Sequence, residues 1–596
     1  MHTAALVGVD GSIDWHCAPR FDSPSVFAAL LDASKGGRFQ LSPIGSTRTS
    51  QSYDGDTNVL DTVFESQNGR MKLTDFMPCF MEEGELRGFQ ELHRMVECLE
   101  GEIAVRIVFQ PRLDYARGQT VLVETKDGCI AKNQKQHLSL SSSVTLTPAG
   151  KDTIDHNFQL SKSQKAVFVL KWARNHSLPV SKYESGKKLA KTLAYWKRWV
   201  GHIKYEGPYR DQVVRSCLVL KMLQYAPTGA MVAAVTTSLP ESVGALRNWD
   251  YRYSWIRDNA LSVWALSEAG ATREALDYAR WLMNIRRHSK ERLQIMMGIG
   301  GEREIPEIAL DHLEGYRRSS PVRIGNAAYR QLQLDIYGIL ADYIYFLHKA
   351  LNWTTPQIYE NLVRHSADQA MKQWQIPDSG IWEMRQQRPF VESKMWCYVA
   401  LDRAVRIARE LGYNEDWQRW EAVKKKIKSE ILSKGWSEKK KAFTMVLGGE
   451  ELDAANLLMP LVGFLGARDP KMTSTIQRIR EELSKDDLVY RYNVDDGQLG
   501  KEGAFTVCSF WMVDCLARLG RLREADRLLS QLLKRANHLG LYSEEIDPAT
   551  GEALGNFPQA YTHMGLITAA VHLEEARRKS GLMRYAKAFS NRIGVG

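Results

Sequence analysis

Hydrophobic positions along this chain change their period once. Up to about residue 172 the apolar residues come in short runs separated by turn residues. Ala4 to Val9, then Asp10-Gly11, then Ser12 to Trp15 reads as a hairpin with a tight turn. Further strand-like runs lie at Asn58 to Glu65, Met71 to Phe76, Ile103 to Phe109, Thr120 to Thr125, His137 to Leu140 and Ala166 to Trp172, and Lys126-Asp127-Gly128 supplies another turn. Short strands of this kind predict an N-terminal antiparallel β-sandwich over residues 1–180. Lys187 to Trp199 is rich in helix formers and carries Tyr195, Trp196 and Trp199, so residues 181–205 are expected to hold a linker helix.

From 206 to 596 the period is helical. The first six patterns are Tyr209–Tyr225, Arg257–Ala269, Thr272–Arg286, Asn326–Ala350, Pro356–Trp374 and Ser393–Leu411. Six more follow at Glu415–Leu432, Asp453–Leu465, Pro470–Leu483, Ala504–Leu519, Leu522–His538 and Phe557–Lys579. Thr355-Pro356 and Asp469-Pro470 put Pro at a first helical position, while Gly270, Gly412, Gly466 and Gly520 follow helix ends. Pro460 lies inside the eighth pattern and should kink it. Helices two and three, four and five, six and seven, eight and nine, and ten and eleven are joined by links of about two to five residues, the usual range for antiparallel hairpins. The links entering the even-numbered helices are much longer. Five hairpins wired this way, with the first and last helices as a sixth pair, can close into an all-α (α/α)6 toroid (barrel). The even-numbered helices would be the inner ones, and the long loops would wall one cavity.

Length and charge narrow the reading. At 596 residues the chain is too long for one ordinary core, so a multidomain protein is expected. The net charge is +10, but Lys and Arg are spread in short runs such as Lys424 to Lys426 and Lys439 to Lys441, in or beside helical patterns. These read as solvated faces; without a recognition motif beside them, no nucleic-acid partner is implied. The eight Cys contain no C-x-x-C pair, and Cys217, Cys508 and Cys515 sit within apolar helical patterns, as buried thiols in a reducing compartment would. No stretch reaches the ~18 apolar residues of a membrane span, and the first fourteen residues have no basic n-region. The expectation is a cytoplasmic protein with no membrane partner. Association into a homo-oligomer is left open.

The long loops concentrate the unusual residues. They carry Arg247 to Asp258, Gly301 to Glu304, Pro321 to Asn326, Trp382-Glu383, Arg491-Tyr492, Glu502-Gly503 and Leu541 to Pro548. Taken singly, Glu302, Glu304 and Glu545 could equally be ion-pair partners of a nearby Arg, and a lone Trp-Glu could be a surface feature. Taken together the set points to a sugar pocket: rings stack on apolar sugar faces while Asp, Glu and Arg grip hydroxyls. Two carboxyls on separate loops also suit glycoside hydrolysis, in which one must be protonated and the other ionised.

Arg247 to Asp258, Pro321 to Asn326, Gly380 to Glu383, Glu502 to Trp511 and Leu541 to Gln559 resemble the motifs of glycoside hydrolase family 15. The likeness is to its prokaryotic branch, where glucoamylases, other α-glucosidases and trehalases share a β-sandwich before the helical barrel. Thr3 to Asp32 also resembles the start of that N-terminal domain, although relatives usually have several more residues before Thr3, so an edge strand is expected to be short or absent. The resemblance implies Glu383 as general acid with Trp382 packing on the substrate, and Glu544 as general base. It implies Trp255, Arg257 and Asp258 as the grip on the terminal glucose, and Tyr251 as the ring that orients the catalytic water. Arg323 and Arg491 match positions near the sugar. Met384 stands where fungal glucoamylases have a second Glu, so contacts to the leaving-group sugar must differ.

The implied activity is exo-acting, inverting hydrolysis of α-glucosides, releasing β-D-glucose from the non-reducing end in the manner of a glucoamylase or α-glucosidase. The alternative is a trehalase on the same site with a smaller leaving-group pocket. No metal or organic cofactor is implied. A phosphorylase would need no carboxylate base, and a non-catalytic sugar-binding protein would be expected to have lost Glu383 or Glu544. Of the adjacent Glu544 and Glu545, only one can face the cavity, because successive side chains of an extended segment point to opposite sides. The resemblance gives that place to Glu544.

Overall fold

The computed structural model of the chain describes residues 1–593 apart from 46, 173–175, 289–291 and 498–499. The N-terminal region is rich in sheet. Thirteen strands form one connected antiparallel sheet. One strand of nineteen residues, Glu91–Phe109, holds it together. Its first half pairs with Gly69–Phe76 and Lys165–Trp172. Its second half pairs with Phe39–Pro43 and Ile154–Ser161. The apolar run Ile103 to Phe109 marks only the second half. In the first half, His93 and Arg94 break the apolar pattern, yet both are buried. Each has a partner that makes burial tolerable: Arg94 Nε donates to Asp75 at 2.7 Å and His93 Nε2 lies 3.0 Å from Glu91. The expected hairpin is present as Ala5–Val7 against Ser12–Cys17. Phe39–Pro43, Arg48–Tyr53 and Ile154–Ser161 are strands that short apolar runs did not announce.

The helix Ser185–Val200 follows and buries Tyr195, Trp196 and Trp199. The rest of the chain is helical. The helices Arg210–Leu223, Ile256–Glu268, Arg273–His288, Val391–Leu411, Asn414–Lys434, Pro470–Glu482, Thr506–Arg518, Leu522–Leu533 and Ala560–Ile593 fall on predicted patterns, the last running on past its expected end at Lys579. Three patterns need correction. The fourth becomes a helix only at Asp335–Leu351; residues Ala327–Arg330 form a 3-10 turn capped by the Asn326 side chain. The fifth contains a π-helical stretch, Tyr359–Arg364. The eighth is no α-helix: Ala454–Leu458 is a 3-10 turn whose cap Asp453 accepts from Ala455 N. Pro460 ends it rather than kinking it. Pro has no N–H to give the Asn456 carbonyl, which accepts instead from Met459 N at 3.2 Å.

Burial separates two kinds of helix. Thr506–Arg518 buries every residue from Thr506 to Ala517. Its partner Leu522–Leu533 buries one stripe, Ala525, Leu528, Leu529 and Leu532, the spacing of a helix with one wet face. Ile256–Glu268 packs on Asp335–Leu351, which packs on Val391–Leu411, and Thr506–Arg518 packs on both the turn at 454–458 and Ala560–Ile593. The contact of Asp335–Leu351 with Val391–Leu411 depends on a glycine: a Cβ on Gly338 would meet the Trp396 carbonyl oxygen at 2.1 Å. The eight cysteines are all free and buried. Among the described residues no helix is long and apolar enough to cross a membrane.

Candidate active site

Residues 233–237 run alongside residues 250–253, with Ala234 N donating to Tyr251 O at 3.0 Å and Ala233 N to Tyr253 O at 3.1 Å. Alternation along this extended segment sends Tyr251 to one side and Arg252 to the other. The helix Ile256–Glu268 begins next, and Trp255, Arg257 and Asp258 cluster at its start. These residues meet the other long connections at a cavity of about 350 Å³. Asn326 and Gln331 come from the second connection, Trp382 and Glu383 from the next, then Arg491, Tyr492 and Glu502, and finally Glu544. Glu383 and Glu544 therefore open on the same cavity.

Glu383 has a positive φ of 59°, the left-handed region. Its backbone is held there by Glu383 N donating to Gly380 O at 3.2 Å and by Gln331 Nε2 donating to Glu383 O at 3.2 Å. Asp378 anchors the same loop, accepting from Leu334 N and the Ser393 hydroxyl at 3.0 and 2.7 Å. The Glu383 carboxylate accepts from Trp255 Nε1 at 2.7 Å and from Arg257 Nη2 at 3.3 Å. Arg257 is itself fixed by Gln333 and Asp335, at 3.0 and 2.8 Å from Nη1. Trp382 donates to Asp453 at 2.8 Å, so the 3-10 turn that replaces the eighth helix holds the ring facing the cavity. Burial pushes the Asp258 carboxyl up to about 6 against the pull of Arg257.

Glu544 lines the same cavity. Tyr251 donates its hydroxyl to Glu544 Oε1 at 2.6 Å. Oε2 is buried. The Tyr251 and Trp255 rings meet edge-on at 5.4 Å, so one aromatic pair connects the two carboxylates. Gly555, at φ +73°, makes room for Glu544: a Cβ there would lie 2.5 Å from Oε2. Glu545 points the other way, accepting from Gly503 N at 2.9 Å and Arg491 at 3.0 Å, and it does not line the cavity. Burial pushes the Glu544 carboxyl up to about 7, with Arg491 and the Tyr251 hydroxyl pulling it back.

Behind Glu544 lies a charged floor. Arg491 pairs with Glu241, Glu502 and Glu545 at 3.3, 2.8 and 3.0 Å. Arg247 pairs with Asp496 at 2.6 Å and also with Glu502. Burial pushes Glu241 up to about 8. Sequence reasoning gave no role to Glu241, Asp496, Gln559 or Tyr561, all of which line the cavity. Pro240-Glu241 and Asp495-Asp496-Gly497 read as turn chemistry, and no local signal tells the two uses apart. Arg323, expected beside the sugar, does not line the cavity. It stands one layer back, stacked on Trp249 at 4.7 Å and paired with Glu307 at 3.1 Å, and both of those do line it. Among the described residues no three His, Cys, Asp or Glu side chains are grouped to hold a metal ion.

Residues 207–571 match the family model for glycosyl hydrolases family 15, and residues 1–196 match that for the trehalase-like N-terminal domain. A trehalase of Thermoplasma volcanium is 38% identical over 583 residues, covering 97% of this chain and 92% of its own. A trehalase of Mycolicibacterium smegmatis is 37% identical, covering 98% of this chain and 92% of its own. A solved structure of a bacterial glucoamylase complexed with acarbose matches with a TM-score of 0.72 at 16% identity, covering 95% of this chain and 91% of its own. That likeness speaks to the fold alone. With the family model spanning the helical region and relatives of this identity spanning almost all the residues, the chain belongs to glycosyl hydrolases family 15 and is a glycoside hydrolase.

Proposed function

We propose that the enzyme hydrolyses α,α-trehalose to two glucose molecules by single displacement with inversion. The sequence alone put a glucoamylase-type activity first and trehalase second; relatives that are trehalases over nearly their whole length favour the second. A cavity of about 350 Å³ supports a short substrate, being at the small end of the ~300–1,000 Å³ range of small-molecule sites.

The observation that carries the mechanism is the aromatic bridge between two carboxylates on one cavity. Glu383 is the general acid and protonates the glycosidic oxygen. Glu544 is the general base: with Tyr251 orienting its carboxylate through Oε1, it takes a proton from water attacking the opposite face of the sugar. An inverting pair needs about 6.5–9.5 Å between carboxyls to admit that water. Trp255, Arg257 and Asp258 grip the glucose under attack, and Trp382 packs on it. Arg491 acts from the floor, and Arg323 acts through Trp249. A phosphorylase needs no carboxylate base, so a buried Glu544 facing the cavity supports hydrolysis. The reading takes the helices as an (α/α)6 toroid over 206–596, after a β-sandwich over 1–180 and a linker over 181–205. Packing of Ala560–Ile593 on both Thr506–Arg518 and Ile256–Glu268 supports that closure.

A substrate panel tests the proposal. Trehalose should be turned over with kcat/KM at least about 100-fold above maltose, isomaltose and soluble starch, the discrimination expected when buried polar groups are left unpaired by the wrong substrate. The rate should not depend on phosphate as a reactant. Proton NMR of the earliest product should show α- and β-glucose in equal amounts, one from the leaving group and one from inversion. Faster cleavage of maltose or starch would restore the glucoamylase reading.

The rate should also depend on pH through the base. Glu544 works ionised, and burial raises its folded pKa to about 7. Lowering the pH through about 7 protonates it, so kcat/KM should fall about tenfold per unit below that point. A profile flat from about pH 8 to pH 5 would mean that no raised carboxyl is the base.

A further inference from the structure

Arg252 follows Tyr251 and points away from the cavity, into the boundary with the sheet domain. It is fully buried. Nε and Nη2 donate to the two oxygens of Asp250 at 2.9 and 2.6 Å. Nη1 donates to the Ser23 carbonyl at 2.8 Å and lies 3.3 Å from Cys17 Sγ. The guanidinium carbon lies 5.8 Å from the Trp15 ring and 5.4 Å from the Tyr115 ring. Asp250 also accepts from Gly325 N at 3.1 Å, tying in the second long connection. From the same domain, Trp15 Nε1 donates to Val235 O at 2.8 Å, within the segment that runs alongside 250–253. Ser23, Cys17, Trp15 and Tyr115 all lie in the sheet domain, on the far side of the backbone that presents Tyr251.

We infer that Arg252 is a positioning residue: it fixes the Tyr251 segment to the sheet domain and, through the Tyr251 hydroxyl, fixes the orientation of Glu544. The sheet domain is then the rigid support of the base. The inference rests on Glu544 being the base. The physical case is geometric. A planar guanidinium bound bidentately to one carboxylate, with its remaining nitrogen on a fixed carbonyl, has few other arrangements open to it. Its backbone neighbour inherits that restriction. A shift of about 1 Å in a catalytic group costs on the order of 100-fold in rate. Glu544 faces Arg491, Tyr251, the Asn556 backbone, Glu502 and Glu241, with Glu545 behind it. Arg252 faces Asp250, Tyr115 and Cys17. Tyr251 is the contact through which the two sets meet.

A double-mutant cycle tests this with α-glucosyl fluoride, a substrate that leaves the identity of the natural aglycone out of the measurement. Tyr251→Phe should lower kcat about 10- to 100-fold and move the acid limb of the pH profile upward by about one unit, the effect of losing a hydrogen bond to a charged group. Arg252→Lys keeps the charge and loses the fork. It should lower kcat about tenfold, leave KM within about threefold, and move the same limb in the same direction. The double variant should be no slower than Tyr251→Phe, because both changes cut one chain of contacts. If Arg252→Lys does not fold, Arg252→Met with Asp250→Leu removes both buried charges together and carries the same expectation. Additive losses, or a slower enzyme whose acid limb stays in place, overturn the inference. If Tyr251→Phe itself leaves the limb unmoved, the assignment of the base falls with it.

Discussion

Glu544→Ala should abolish trehalose hydrolysis, and sodium azide should restore part of it. Loss of a positioned base costs about 10²- to 10⁴-fold. The truncated side chain opens the face from which water attacks, and azide needs no base to become a nucleophile. The rescued product should be β-glucosyl azide, identified by NMR. Glu545→Ala should behave differently. Its carboxylate binds Gly503 N and Arg491 rather than lining the cavity. Removing it takes from the buried Arg491 one of its three carboxylate partners and leaves Gly503 N without its acceptor, a loss of about 1–3 kcal/mol. That variant should melt earlier and bind substrate less tightly while still turning over. Azide rescue of Glu545→Ala and not of Glu544→Ala would move the base by one residue.

Glu383→Gln should remove the acid and little else. The amide oxygen can still accept from Trp255 Nε1 and Arg257, which hold the carboxylate at 2.7 and 3.3 Å. Fold and sugar binding should persist, while turnover of trehalose drops about 10²- to 10⁴-fold. α-Glucosyl fluoride should retain far more of its rate, since fluoride leaves with little protonation. Equal losses on the two substrates would place the proton donor elsewhere.

How much of this was legible follows the physics of each signal. Helices with one wet face declare themselves by period, as Leu522–Leu533 does with its single buried stripe. A caged segment such as 454–458 also looks periodic, because its side chains are apolar for the sake of the surrounding core rather than of a helix. Only the absence of an N–H at Pro460 and the positive φ of Gly463 distinguish it. Strands were legible where a run of apolar residues marks them, as in Ala166 to Trp172, and not where buried charges interrupt, as His93 and Arg94 do in Glu91–Phe109, or where the strand is short and half polar, as Phe39–Pro43 is. At the site, motifs put Glu383 and Glu544 forward and the fold brings both to one cavity, while alternation separated the direction of Glu544 from that of Glu545. Arg323, placed by its motif near the sugar, stands behind Trp249 rather than on the cavity itself, because a motif does not say whether a residue lines the pocket or backs one that does. Glu241 carried no local signal at all. Its charge acquires meaning only when the fold sets it beside Arg491.

With Glu383 as the proposed acid, its left-handed backbone sets stability and turnover against each other at one position. A glutamate in that conformation costs roughly 1–2 kcal/mol more than a glycine would. Selection for thermal resistance alone would drift toward glycine or asparagine at 383 and gain a firmer loop around an inert pocket. Selection for turnover would hold the glutamate and accept the weaker loop. An engineer who wants a hardier enzyme must therefore find the compensation elsewhere, in the network that already braces this turn from Asp378 and Gln331.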